Sequence, residues 1–272
     1  MLIGDLTNSY FGELLGQVEG FAADAGFSII LSNARLGPEE EIARLESLFE
    51  QRVSGVLLCQ YSGAAEVEEL LAASPVPVVA ASCRSGVCDS ACTDDRAAER
   101  IATEHLLGLG HRRSALVLDC ATDAQTNDER SLGYEDARRQ AGLDPDPELR
   151  FAWDFRGRKA AEAAVADAVV AKGGPTALVA TSDDAAISVI DALEARGRPV
   201  PGTLSVVGYD GVAIGAHERI ALTTMAQPSR LIAARAVEML EGRIAGETGP
   251  PAQSLFESEL VVRHSTAPPV GA

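Results

Sequence analysis

The chain has 272 residues, 46% of them hydrophobic and 23% charged, and its 40 Asp and Glu against 23 Lys and Arg give a formal net charge of −17. A chain this long buries roughly three quarters of its unfolded surface, so it needs no disulfide or metal to fold, and the length prior predicts about two domains. The acidity argues against direct DNA binding, which requires clustered Lys and Arg against the phosphates, and no apolar run approaches the ~20 residues that span a bilayer.

Strand-like and helix-like stretches alternate along the chain, the pattern of a parallel sheet with helices on both faces. Phe27–Leu31 reads as a strand and Glu39–Gln51 as a helix, with Ile42, Leu45, Leu48 and Phe49 at helical spacing behind Pro38. Val53–Cys59 and Val76–Ala81 read as strands, and Arg96–Leu109 as a helix closed by Gly110. Ser114–Leu118 opens a second set of elements. Its helices read as Glu129–Ala141, Lys159–Ala171 and Asp184–Arg196; its strands read as Leu149–Trp153, Ala177–Thr181 and Leu204–Val207. A short β-type run, Leu222–Met225, precedes a final helix over Ser229–Ile244, and the segment from Ser265 onward reads as a disordered tail.

Five cysteines, Cys59, Cys83, Cys88, Cys92 and Cys120, form no CxxC pair and match no zinc spacing. They read as small, partly buried apolar residues in a reducing compartment, with a Cys83–Cys88 or Cys88–Cys92 bridge open on oxidation. The N-terminus has no basic region followed by an apolar core and cleavage site, so the expected location is cytoplasmic. No G-x-S-x-G elbow, P-loop, H-E-x-x-H or kinase signature occurs, so the chain is not expected to be an enzyme, and neither a cofactor nor a metal is expected.

Five segments carry a family resemblance. The start, Ile3-Gly4-Asp5-Leu6-Thr7-Asn8-Ser9-Tyr10-Phe11, is similar to an opening strand followed by an S-N-P-F-F loop, with Ser9 in place of the proline. Glu104-His105-Leu106 with Gly110-His111-Arg112-Arg113 is similar to an E-H-L…G-H-R-R helix end. Arg130-Ser131-Leu132-Gly133-Tyr134 fits R-x-x-G-[FYW], and Ala180-Thr181-Ser182-Asp183 fits A-x-[SN]-D. The fifth segment runs from Leu204 through Gly208-Tyr209-Asp210 to Gln227-Pro228. In this order and separation, they resemble the effector domain of the lactose-repressor family of bacterial transcription regulators.

The resemblance implies an α/β fold of the type I periplasmic-binding-protein kind, two Rossmann-like lobes with parallel sheets flanking a cleft. The chain would cross between lobes three times: residues 1–111 with 227–249 form the N-terminal lobe, 112–226 with 250–265 the C-terminal lobe, and 266–272 a flexible tail. It also implies a homodimer that contacts operator DNA only through an N-terminal helix-turn-helix, which this sequence does not contain. Closure of the lobes on a small effector would alter operator binding. The expected function is the effector-sensing, dimerising core of such a regulator. The alternative is a sugar-binding component of an ABC transport system with the same fold.

Candidate ligand residues follow from strand ends and from this resemblance. Ligands of open α/β sheets bind beyond the carboxyl ends of the strands, which selects Asp210 and Gln227. A turn or cap role is the plain alternative for Asp210. Arg130, read near a helix start where the dipole disfavours a cation, fits a ligand contact or a surface pair with Asp128 or Glu129. Thr126 is polar lining. Tyr10, Phe11 and Phe155 could present flat faces to a ring, although a lone aromatic is more often core. Ser182 and Asp183 fit helix capping and cleft contact alike, as does Asp94. His105 and His111 read as packed and helix-end side chains rather than ligands. Hydroxyl-seeking groups with aromatic walls favour a monosaccharide effector over a nucleoside.

Overall fold

The computed structural model describes residues 1–34, 37–120, 122–144, 146–154 and 157–270. In chain order its first elements are β1 (Leu2–Ile3), α1 (Ser9–Asp24), β2 (Ser32–Asn33), α2 (Pro38–Glu50), β3 (Val56–Cys59), α3 (Ala65–Ala72), β4 (Val78–Ala81) and β5 (Asp89–Thr93). Next come α4 (Asp95–Gly108), β6 (Ser114–Asp119), α5 (Ala124–Gln140), β7 (Arg150–Trp153), α6 (Arg158–Val170), β8 (Ala177–Ala180), α7 (Asp183–Glu194), β9 (Ser205–Asp210) and β10 (Thr223–Ala226). The chain closes with α8 (Ser229–Ile244), β11 (Gln253–Phe256) and β12 (Glu259–Val261). Among the described residues no helix is long and apolar enough to cross a membrane.

The chain divides into two compact units. The first comprises 1–94, 123–126 and 228–257, the second 95–122, 127–227 and 258–272. The first unit is built on a sheet of order β11-β5-β4-β3-β1-β2 with parallel pairings throughout. The second unit's sheet has order β12-β10-β9-β8-β6-β7, and only the edge strand β12 runs antiparallel to its neighbour. Strands β3, β4 and β8 are buried at every position. That is why they read as unbroken apolar runs rather than alternating ones: helices cover both faces.

The boundary between units falls at Asp94, not at residue 111. Helix α4 packs on β8, β10 and β12 of the second unit, because Ala98, Ala102 and Leu106 join the cluster of Leu116, Val179, Val207 and Met225. Strand β11, expected with the second lobe, pairs with β5 in the first, Leu255 opposite Cys92.

Other expectations also shift. Phe27–Leu31 is not a strand: the ladder on β1 begins only at Ser32, and Ile30 and Leu31 are exposed at the sheet edge. Tyr10 and Phe11 do not lie in a loop. The Asn8 side chain accepts from the Tyr10 amide at 2.9 Å, so α1 starts there and both aromatics occupy its first turn. Helix α5 starts at Ala124 rather than Glu129, which moves Arg130 out of the first turn. The segment from Ser265 is tied down rather than loose. Ser265 Oγ donates to the Val206 carbonyl at 2.6 Å, and Ala267 exchanges bonds with Ser205 and His111. These side-chain bonds hold the segment without any regular strand.

All five cysteines are free, and four of them, Cys59, Cys83, Cys88 and Cys92, are buried. Burial raises the Cys59 thiol to about 12, so it packs as a neutral apolar group. His105 bonds Thr266, and His111 reaches Thr176, Ser205 and the Ala267 carbonyl while almost fully buried.

Gly133 explains one of the sequence motifs. A Cβ there would lie 2.2 Å from the Arg96 carbonyl oxygen, so α5 can approach the backbone of α4 only without a side chain. Backbone cannot yield as a side-chain tip can. Gly133→Ala is expected to lose about 1–3 kcal/mol, the usual range for overpacking. Urea denaturation checks this; a shift under ~0.5 kcal/mol would mean that the helices separate freely.

Candidate functional site

Four parallel strands of the second unit, β10, β9, β8 and β6, end side by side. A polar residue stands at or just beyond the end of each: Gln227 after β10, Asp210 ending β9, Thr181 and Ser182 after β8, and Asp119 ending β6. This is the edge at which open α/β sheets hold ligands. Each apolar run stops at the sheet boundary, so the side chain that follows meets the polar rim.

Arg130 organises the edge. Its Nε donates to Asp95 Oδ1 at 2.8 Å and its Nη1 to the Thr181 carbonyl at 2.5 Å. The guanidinium carbon lies 3.7 Å from the centroid of the Tyr209 ring, and Tyr209 Oη donates to the same Asp95 oxygen at 2.8 Å. Arg130 is 5% exposed. A surface pair with Asp128 or Glu129 is thereby corrected. Burial works against the guanidinium charge, but Asp95, Tyr209 and Asp210 more than offset it, and its pKa is raised.

Asp210 is held in strain. Its φ is 121°, in the left-handed region that non-glycine residues avoid, and such strain concentrates at functional sites. Gln227 Nε2 donates to its Oδ1 at 2.8 Å, and the Gln227 amide donates to its carbonyl at 3.1 Å. Burial pushes the Asp210 carboxyl well above the usual range, the nearby Asp183 adds to this, and Arg130 opposes it.

Asp183 braces the neighbouring loop. Its Oδ2 accepts from the amides of Gly211 and Val212, both at 2.9 Å, and its Oδ1 accepts from Thr224 Oγ1 at 2.6 Å. A Cβ on Gly208 would sit 2.2 Å from Asp183 Oδ1, so the Gly208-Tyr209-Asp210 turn needs its glycine to accommodate this carboxylate. Burial still outweighs these donors and raises Asp183 to about 7. Ser182 caps α7 through the Ala185 amide and donates to Asp119 Oδ2 at 2.7 Å.

Arg130, Ser182, Asp183, Asp210 and Gln227 thus come together in one connected network of the second unit. Tyr10, Phe11, Asp94 and Thr126 belong to the first unit. There, Tyr10 Oη meets Ser82 Oγ at 2.8 Å, Phe11 stacks edge-on against Tyr10, Asp94 precedes α4, and the Thr126 amide bonds Asp123. Phe155 lies outside the described residues.

Several site residues escaped the sequence reading. Asp119 ends β6 as Asp210 ends β9, so the rule that selected one would have found the other. In the first unit Gln60 and Ser82 follow the adjacent strands β3 and β4, with φ of 107° and 72°. These are the same strand-end position and the same backbone strain as at Asp210. Asp95 opens α4, where an acidic residue reads as an ordinary helix-start residue; Tyr209 lies within the Gly208-Tyr209-Asp210 motif without a signal of its own role, and Glu99 carries no local signal.

Comparison with known proteins agrees with the fold. Residues 103–266 match the family described as periplasmic binding protein-like domain. The chain is 32% identical over 261 residues to the HTH-type transcriptional regulator CelR of Thermobifida fusca, covering 94% of this chain and 75% of that protein. A transcriptional regulator CelR–cellobiose complex superposes with a TM-score of 0.86 at 28% identity, over 97% of this chain and 83% of that one. A LacI family transcriptional regulator from Enterococcus faecium with bound ribose gives 0.85 at 25% identity, over 98% and 97%.

Proposed function

This chain belongs to the LacI family of transcriptional regulators, and on that premise we propose that Asp210, Gln227 and Arg130 form the centre of its effector site, with a monosaccharide as the ligand in preference to a nucleoside. The observation that carries the reading is the strained Asp210 at the sheet's carboxyl edge, with Gln227 bonded to one of its oxygens. Such a carboxylate accepts from vicinal hydroxyls through charge-assisted hydrogen bonds. Arg130, fixed by Asp95 and Thr181, supplies donors in a set direction. Ser182, Asp183, Asp94 and Thr126 belong to the same proposal as supporting polar groups, and Tyr10, Phe11 and Phe155 as ring-facing aromatics.

The chain is the effector-sensing core of a regulator; its relatives are helix-turn-helix-type transcriptional regulators, which leaves the transport alternative without support. A homodimer in the cytoplasm, acting as a sensor and not as an enzyme, completes the proposal. The effector works by unequal affinity for conformations that differ in operator binding, a coupling of typically ~1–3 kcal/mol. A paired arrangement suits half-sites about one helical turn apart.

A thermal-shift screen of hexoses, pentoses, cellobiose and nucleosides tests the ligand class, because binding to the native state raises its melting temperature. A monosaccharide is expected to give the largest rise, and Asp210→Asn to weaken its binding about 10–100-fold, the effect of removing a charged acceptor. Undiminished affinity in the variant, or stabilisation by nucleosides alone, would overturn the assignment.

A further inference from the structure

A cavity of about 300 Å³ opens in the first unit at the amino ends of β1 and β3, the edge opposite to the one where Gln60 and Ser82 follow their strands. In a parallel sheet the C-terminal ends of the helices gather at this edge. Gly26 beyond α1, Gln51 and Arg52 beyond α2, and Ile244 at the end of α8 all line the cavity. Leu48, Leu57 and Val237 give it a buried apolar floor. The lip is apolar too, yet uncovered: Phe27 and Ile30 are 36% and 44% exposed. They belong to the run that has strand composition and forms no strand. Among the described residues the amides of Ser28, Ile29 and Ile30 donate to no acceptor.

Two charged side chains stand in this lining, Arg52 and Glu241, and both are exposed. Among the described residues neither makes an ion pair or a side-chain hydrogen bond, with the other or with any neighbour. Arg52 also sits at a φ of 56°, in the left-handed position past a helix end that glycine usually fills. A side chain strains the backbone there, and no contact within the fold uses the guanidinium. An apolar bowl with one unpaired cation and one unpaired anion at its mouth complements a molecule with an apolar body and both charges. The backbone around it agrees. Unbonded amides suit a carboxylate, and the last carbonyls of three helices suit an ammonium group.

We propose that this cavity binds a free α-amino acid with an apolar side chain, its carboxylate at Arg52 and its ammonium group at Glu241. The site belongs to the first unit alone and does not depend on the effector reading given for the second. Its volume lies at the lower end of the range for small-molecule sites. The apolar contribution dominates the affinity: each carbon buried is worth about four-fold, whereas an exposed ion pair is worth at most about five-fold. The side chain of the ligand therefore sets how tightly it binds, and the two charges set how it is oriented.

The test titrates the purified chain by calorimetry with free leucine and free alanine, whose side chain is three carbons smaller. Leucinamide, which lacks the carboxylate, and 4-methylpentanoate, which lacks the ammonium group, complete the set. Leucine is expected to bind about 50-fold more tightly than alanine. Arg52→Gly suits the backbone at its position, so the chain keeps its fold. It is expected to weaken leucine about five-fold and to leave leucinamide unchanged. Glu241→Gln is expected to weaken leucine by a similar factor and to leave 4-methylpentanoate unchanged. Asp210→Asn is expected to alter none of these affinities; a loss there would put the amino acid at the carboxyl edge of the second sheet and overturn the inference. Alanine as tight as leucine, or leucine indifferent to both charge variants, overturns it as well. If none of the compounds binds, the inference falls, and a dimer that Ile30→Asp then splits would show that a second copy covers the lip.

Discussion

Arg130→Ala is expected to lower the stability of the second unit by about 3–5 kcal/mol, the usual consequence of removing one partner from a buried ion pair. The loss has three sources. Asp95, 3% exposed, is left without its guanidinium partner; the Thr181 carbonyl loses a donor; and the Tyr209 ring loses the cation over its face. Arg130→Lys recovers only part, because one ammonium cannot reproduce a planar fork that donates in two directions while stacked. The double variant Arg130→Ala/Asp95→Ala recovers more, since it also removes the stranded carboxylate. Urea denaturation of wild type, Arg130→Ala, Asp95→Ala and the double variant as a thermodynamic cycle measures the coupling. A loss below ~1 kcal/mol in Arg130→Ala would show that water reaches Asp95 and that the pair is not buried in solution. The arginine thus serves the fold as well as the proposed site. Ligand-binding measurements on Arg130 variants need a check that the second unit is folded, whereas Asp210, bonded mainly to Gln227, offers a cleaner probe.

Glu99→Met is expected to act in the opposite direction and stabilise the protein. Burial raises the Glu99 carboxyl from 4.5 to about 8, Arg130 pulls it down, and Asp95 pushes it up. The unfolded chain gives up this proton near the lower value, while the folded chain keeps it to the higher one. Below the lower value both states are protonated and the group has no effect. As pH rises from there to about 8, the unfolded state binds fewer protons, so stability falls continuously. At pH 7 the accumulated penalty is about 3 kcal/mol by the ~1.4 kcal/mol per unit rule, an upper figure. Methionine fills a similar volume without an ionisable group. Denaturation midpoints of the wild type between about pH 5 and pH 8 should decline relative to those of Glu99→Met, with the two curves converging at the acidic end. Parallel curves would mean that Glu99 titrates normally and finds solvent or a partner.

Much of the fold was legible because its signals are local. Unbroken apolar runs such as Ala177–Ala180, and helical spacing in Ile42, Leu45, Leu48 and Phe49, report burial on two faces or on one without reference to distant residues. Asp210 and Gln227 were legible for a related reason. A polar residue directly after a buried strand stands at the sheet edge wherever the strand is placed. Asp119, Gln60 and Ser82 occupy equivalent positions and show that the rule was applied too narrowly. The start of α5 was misplaced because its first turns, Ala124 to Asp128, are polar and carry no apolar period. Phe27–Leu31 has strand composition but lies at the sheet edge, where few backbone partners exist to make it a strand.

Two things about this protein were determined by the sequence alone: its α/β class with polar residues at strand ends, and its family, carried by short motifs in order rather than by any one of them. Only the tertiary structure decided what Arg130 does and where Glu99 lies. Asp95 and Tyr209 are 35 and 79 positions from Arg130 in the chain, and no spacing or periodicity links residues so far apart until the strands and helices are packed. Burial has the same character. The charge state of Asp210, Asp183 and Glu99 depends on how much water the assembled neighbours remove, a property of the packed unit and not of any segment within it.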